Sequence, residues 1–202
     1  MKVYSYVVAR DYGFAPNPFF GICTLATCKP NIRRSALVGY WVVGTGSKPR
    51  GLDGRLVYAM KVDEILTYDG YWNDPRFQQK RPNLRGSRKQ AYGDNIYHRD
   101  ETTGRWVQVN SHHSHADGSP NRNNIARDTK SQRVLIGSEF AYWGGDGPQI
   151  PAGFRNWEGN DVCHTGQGHT CNFPEGLVKA FVDWFHSLEA RGCIGRPSDF
   201  GT

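Results

Sequence analysis

Residues 37–44 read LVGYWVVG and residues 55–65 read RLVYAMKVDEI, and together they decide the fold class. Both are rich in β-branched and aromatic residues, which suit a pleated, half-buried surface. The second also alternates in part at period two. Each predicts a strand, the longer one for the centre of a sheet. Outward from them, residues 2–9 (KVYSYVVA) predict an opening strand that ends before Gly13, and residues 105–109, 133–136 and 140–143 predict three more. Near the other end, residues 174–191 (PEGLVKAFVDWFHSLEAR) set Leu177, Val178, Phe181, Val182, Phe185 and Leu188 on one helical face. Asn172 is the expected cap, Pro174 suits the first turn and Gly192 is the expected stop. Early strands and a late packing helix predict an α+β domain on a mixed or antiparallel twisted sheet of about five or six strands. A partly open β-barrel is the alternative.

A chain of 202 residues is sized for one hydrophobic core, so residues 1–202 are read as one domain. Apolar runs such as Trp41–Val43 are far too short to span a bilayer, and Lys2 leads straight into a strand pattern with no signal-peptide core. The expectation is a cytoplasmic protein without a membrane partner. Five cysteines at irregular spacing fit reduced thiols better than a disulfide framework. The formal charge of +6 is unevenly spread: residues 80–89 hold Lys80, Arg81, Arg85, Arg88 and Lys89 with no acid. Such clustering predicts a phosphate-bearing partner, with these five on the backbone of a nucleic acid.

Two long polar stretches, residues 68–103 and 110–130, contain enough aromatics to be ordered loops, and loops of that length in a compact domain carry function. SHHSH at 111–115 is followed by Asp117, Asn121, Asn123, Asn124 and Asp128. His98, His112 and His113 are the candidate acid/base groups, because an unperturbed imidazole titrates near neutrality; Asp128 completes the catalytic set. Arg10, Asp11, Asn17, Arg33, Gly46, Ser47, Asn95 and Asn124 are the candidate nucleotide contacts. Gly46 and Ser47 are expected in a small-residue turn with open backbone amides. Trp41, Trp72 and Tyr92 are the candidate base-stacking rings. Arg10, Asp11, Asn17, Gly46, Ser47, Asn95, His98 and the loop from His112 to Asp128 are expected in one pocket, with His113 on a polar loop that has little to bury, while the three rings would serve a reader of modified bases. No HExxH, Walker or GxGxxG pattern is present, and no cofactor, metal or oligomeric state is assigned. Cys163, His164, His169 and Cys171, with Cys23 and Cys28 as a second hook, leave zinc open beside the reading as free thiols.

Six segments carry a resemblance over nearly the whole chain: YSYVVARDYGFAPNPFFG (4–21), IRRSALVGYWVVGTGS (32–47), YWNDPRF (71–77), GDNIYHRD (93–100), SHHSHADGSPNRNNIARDT (111–129) and RVLIGSEFAYWGG (133–145). In these the chain resembles the nucleotide modification-associated domain 2 family of bacteria and their phages, associated with DNA base hypermodification. The resemblance implies a nucleotide or nucleic-acid partner and a role in DNA modification, as enzyme or accessory. The strand pair around residues 32–65 is also similar to that of PUA-like modified-base readers, although Tyr40 stands where that pattern has an acidic residue. A non-catalytic reader is therefore the alternative, and a nucleotide- or NAD-consuming defence effector against phage the third reading.

Overall fold

The computed structural model describes residues 1–200. Ten strands follow in chain order: β1 (Val3–Val8), β2 (Cys23–Leu25), β3 (Trp41–Gly46), β4 (Leu56–Lys61), β5 (Glu64–Thr67), β6 (Tyr97–Arg99), β7 (Trp106–Gln108), β8 (Arg133–Gly137), β9 (Phe140–Gly144) and β10 (Gly192–Arg196). Helices are short apart from the last: α1 (Pro30–Ser35), α2 (Tyr68–Asn73), α3 (Arg88–Ala91), α4 (Arg122–Asp128), α5 (Ala152–Arg155) and α6 (Glu175–Ser187). A five-stranded mixed sheet has the order β1-β3-β4-β9-β10, with β1/β3 and β9/β10 parallel and the two central pairs antiparallel. An antiparallel sheet β2-β8-β5 lies against it, and β6 with β7 forms a separate hairpin. The sheets stay open and do not close into a barrel, so the open-sheet α+β expectation is the one realised.

Period-two alternation explains the layering. Val3, Trp41, Val43, Ala59 and Ala141 point to one face of the large sheet and bury the apolar stripe of α6, from Leu177 to Phe185. Tyr4, Tyr6, Val42, Tyr58 and Met60 point to the other face, where they meet Cys23, Leu25 and Leu135 of the small sheet. Val134 and Ile136 leave the far side of the small sheet to pack with Tyr68, Tyr71, Phe77, Ile96 and Tyr97. The two long polar stretches, with β7 between them, are thus a third layer that holds α2, α3, α4 and the hairpin.

Several local expectations change. Residues 37–40 are not strand: Leu37 and Val38 are exposed, and Gly39 (φ 86) turns the chain so that β3 starts at Trp41. Residues 55–65 break into β4 and β5, which join different sheets. At the break the Asp63 carboxylate accepts the Ser138 N–H (2.7 Å) and hydroxyl (2.6 Å), tying it to the turn between β8 and β9. Gly46 is the last residue of β3, its N–H donates to the Arg55 carbonyl (2.8 Å) and Ser47 is buried, so the expected open anion-binding turn does not form. Helix α6 is capped at Pro174 instead of Asn172, and Gly192 opens β10. No helix among the described residues is long and apolar enough to cross a membrane.

Candidate active site

After β2 the chain passes through Ala26, Thr27 and Cys28 and enters α1 at Pro30. Cys28 and Lys29 both adopt left-handed backbone (φ 56 and φ 39), which costs an L-residue other than glycine about 1–2 kcal/mol. Strain of this kind persists only where surrounding structure holds it. Here the holder is Arg33 of α1, fully buried, whose guanidinium donates to the carbonyls of Cys28 (2.8 Å), Ser131 (2.8 Å), Arg133 (2.8 Å) and Asp128 (2.5 Å). The arginine expected to bind a nucleotide instead pins the cysteine turn to the end of α4.

That pin brings three side chains into line. Asp128, 0% exposed, accepts through Oδ2 from His113 Nδ1 (2.7 Å) and the Tyr97 hydroxyl (3.0 Å), and through Oδ1 from the Cys28 N–H (3.0 Å) and Arg127 Nε (3.3 Å). The other imidazole nitrogen, His113 Nε2, lies 3.7 Å from Cys28 Sγ. His113 is itself only 8% exposed, its carbonyl accepting from Asn124 Nδ2 (2.7 Å) and Gln108 Nε2 (3.3 Å). Phe14 sets a ring edge against its imidazole at 4.6 Å. The arrangement of nucleophile, base and orienting carboxylate is that of covalent catalysis by a thiol.

The charges agree with the geometry. Burial opposes protonation of His113, but its hydrogen bonds to Asp128 and Cys28 and the negative charge of those two groups prevail and raise it to about 9. Burial opposes the Asp128 carboxylate, yet the hydrogen bond and charge of His113, followed by Arg127 and Arg33, hold its pKa below the ordinary value. His112 behaves oppositely: desolvation first, then the charges of His113 and Arg10, push it down to about 4. Its ring is 4.6 Å from Tyr12, 5.2 Å from Tyr92 and 5.3 Å from Phe14. At neutral pH one of these adjacent histidines is therefore cationic and the other neutral.

The triad opens into a cleft of about 410 Å³ lined also by Arg10, Lys29, Asn124 and Arg127. The Lys29 ammonium lies 4.3 Å from the centre of the Tyr6 ring, and burial lowers its pKa. Among the described residues, Cys28, His113 and Asp128 are the one group of His, Cys, Asp or Glu whose donor atoms gather closely enough for a metal ion. The donor chemistry fits hydrogen bonding better, since four N–H or O–H donors already occupy the Asp128 oxygens and a cation would have to displace them.

The structure brings together His112, His113, Asp128, Arg10 and Asn124. Other expected site residues lie elsewhere. His98 occupies a separate cleft, stacked on Trp72 (4.1 Å, 14°), while the Arg81 guanidinium lies 3.7 Å from the Trp72 ring centre. Trp41 is 1% exposed, a core residue 4.9 Å from Phe185, with no face free for a base. Lys80 is 1% exposed, donates to the Asn17 carbonyl (3.0 Å) and Oδ1 (2.7 Å), and is lowered to about 8 by burial, so it does not reach a backbone phosphate. Asn17 and Asn95 are buried ties: Asn17 Nδ2 donates to the Tyr92 carbonyl (3.0 Å), and Asn95 Nδ2 to the Tyr71 carbonyl (3.0 Å). Asp11 lines the cleft, but its carboxylate already accepts from the Tyr142 hydroxyl (2.5 Å), the Ser198 N–H (3.1 Å) and the Gly13 N–H (3.3 Å). Arg85, Arg88 and Lys89 are exposed and Tyr92 is half-buried. All five cysteines carry free thiols; among the described residues, Cys163, His164, His169 and Cys171 form no such metal-sized group.

Cys28 is the candidate that sequence reasoning weighs only as a zinc hook and that the structure sets beside His113. It stands 85 residues from His113 and 100 from Asp128, and no local spacing marks it. Residues 1–202 match a family model described as nucleotide modification associated domain 2. Comparison with curated proteins finds no match, and neither does comparison with solved structures.

Proposed function

This chain belongs to the nucleotide modification associated domain 2 family, and from that premise we propose an enzyme of nucleotide modification that works through a covalent bond to Cys28. One observation carries the reading: a cysteine on a strained strand-to-helix turn, 3.7 Å from an imidazole that is held on its other side at 2.7 Å by a buried carboxylate. A thiolate is the reactive form of cysteine, and His113 Nε2 is the group beside Cys28 Sγ that can exchange its proton.

In the reaction, the Cys28 thiolate attacks an electrophilic carbon and forms a C–S bond, while the departing group takes the proton from His113 Nε2. The imidazole, now neutral, accepts a proton from the incoming hydroxyl, amine or water. That nucleophile attacks the same carbon, the C–S bond breaks, and the thiolate and imidazolium are restored. Negative charge developing on the substrate needs donors. The Cys28 N–H is committed to Asp128, so Lys29, Arg127 and Arg10 take that part and also hold a nucleotide phosphate. A non-catalytic reader has less support, because Trp41 is buried and the Trp72 ring is already covered by His98 and Arg81.

The reading is tested by mass spectrometry of nucleosides from cells carrying no protein, wild type or Cys28→Ala, together with iodoacetamide labelling of the purified protein. Cys28 should alkylate faster than Cys193, which is more exposed but whose thiol burial pushes up. The modified nucleoside should vanish with Cys28→Ala. An unchanged nucleoside profile in that variant would overturn the proposal.

A further inference from the structure

We propose that a groove beside the Cys28 cleft binds single-stranded nucleic acid, so that the nucleotide modified is one residue within a strand. The location of the chemistry rests on the Cys28 reading; the groove stands on its own geometry. It has a volume of about 890 Å³ and runs between α3 on one side and β10 with the segment that follows it on the other. Arg88, Lys89 and Arg196 line it, and among the described residues its lining holds no acidic side chain. Phe200 and Ile194 supply apolar surface, Ile194 being 52% exposed, and the buried Phe19 backs the Phe200 ring.

A ridge of rings joins the groove to the cleft. His112 and Tyr12, which line the cleft, are 4.6 Å apart; Tyr12 stacks on Tyr92 at 5.2 Å and 11°, Tyr92 on Phe200 at 5.6 Å and 26°, and Phe200 on Phe19 at 5.8 Å and 29°. Cations stand at both ends, Arg10, Lys29 and Arg127 at the cleft and Arg88, Lys89 and Arg196 at the groove. Tyr12, Tyr92 and Phe200 are half-buried, so their rims, with Ile194, leave apolar surface between cationic ends; this suits an unpaired strand, whose bases are open to apolar contact and whose phosphates need counter-charge. A duplex keeps its base faces inside and cannot use the ridge.

Both walls are fixed in place. Ser87 and Gln90 form a reciprocal capping box that holds α3, and with it Arg88 and Lys89, in one orientation. The opposite wall is tied down by Asp11, whose carboxylate accepts the Ser198 N–H (3.1 Å) and whose carbonyl accepts the Asp199 N–H (2.8 Å). Asp11, expected to contact the nucleotide, positions the wall that carries Arg196 and Phe200. Arg88 and Lys89 belong to the basic loop that the sequence assigned to a backbone, while Arg196 joins them only through the fold.

The test is fluorescence anisotropy with a fluorescein-labelled dT12, its duplex with dA12, labelled rU12, and dTMP as competitor, using wild type and Lys89→Gln/Arg196→Gln. Both substituted residues are exposed, and an unchanged melting temperature confirms folding. The expected result is salt-dependent binding of dT12, weakened about tenfold or more in the variant, with the slope of log affinity against log salt reduced by about 1.4 for two lost phosphate contacts. Tighter binding of rU12 would identify RNA as the strand. Stronger binding to the duplex, competition by dTMP at concentrations equal in nucleotide, or the same affinity and slope in the variant would each overturn the proposal. Iodoacetamide labelling of Cys28 in the same samples separates failure of the groove from failure of the nucleophile.

Discussion

Asp128→Asn keeps the shape of the side chain and removes its charge. The carboxylate meets only donors: His113 Nδ1 and the Tyr97 hydroxyl on one oxygen, the Cys28 N–H and Arg127 Nε on the other. An amide has one accepting oxygen, so whichever way it turns, its NH₂ faces donors. Arg127 is exposed and can turn to water, and the Tyr97 oxygen keeps the Gln108 Nε2 donor (3.0 Å). The loss therefore concentrates on His113 and the Cys28 turn. Removing one partner of a buried charged pair costs about 3–5 kcal/mol. Titration sets an independent ceiling: Asp128 and Cys28 together raise His113 from 6.5 to about 9, about 3 kcal/mol at 1.36 kcal/mol per pH unit, of which Asp128 supplies a part. Because the folded value is raised, this stability is fully present below about pH 6.5 and is lost as pH climbs through about 9. The depressed Asp128 value belongs to the same bond and is felt only as pH falls through its folded value. Urea denaturation followed by circular dichroism should find the variant about 3–5 kcal/mol less stable at pH 6, the gap narrowing at pH 10 by at most about 3 kcal/mol. A gap that ignores pH, or no gap at pH 6, would refute the ion pair.

Titration followed by NMR should find the His112 imidazole changing near pH 4 and that of His113 near pH 9; a common value near 6.5 would show that the two do not share this environment. Arg33→Lys keeps the charge but offers three donors from one point instead of a planar fork; with four carbonyls to satisfy it should cost at least about 2–3 kcal/mol in urea unfolding, and slow alkylation of Cys28 as the turn relaxes. His113→Ala should cost well over the about 0.5 kcal/mol of a surface change, because the structure buries a residue that sequence placed on an open loop; a neutral change in melting would contradict that burial. Phe181→Ala, in the α6 stripe at 1% exposure, should cost about 3–5 kcal/mol, leaving Cys28 labelling intact in whatever remains folded. Prolonged chelation should change neither melting nor Cys28 labelling, whereas a fall in melting temperature with faster Cys28 labelling, both reversed by zinc, would make the triad a metal site.

Local pattern was enough for the elements whose partners lie in their own sequence. The α6 stripe from Leu177 to Phe185 and the alternation of β1 and β4 repeat at the period of one helix or one strand, so one buried face is legible without knowing what covers it. The basic run at residues 80–89 was legible as charge, but not the fate of each member: Lys80 is swallowed by Asn17, while Arg88 and Lys89 stay outside on α3. Trp41 and Arg33 resemble ligand contacts in the sequence because polarity and aromaticity look the same on a surface and in a core. His113 and Asp128 were legible as candidates, since His and Asp in a polar run are chemically conspicuous. Their grouping with Cys28 was not, because Cys28 is brought across 85 residues by the fold and held there by the buried Arg33 guanidinium, which bonds the carbonyls of both Cys28 and Asp128. Periodicity records which face of an element avoids water; only the folded chain decides which polar groups are carried inside with it, and it is burial beside a chosen partner that makes one histidine a cation and its neighbour neutral.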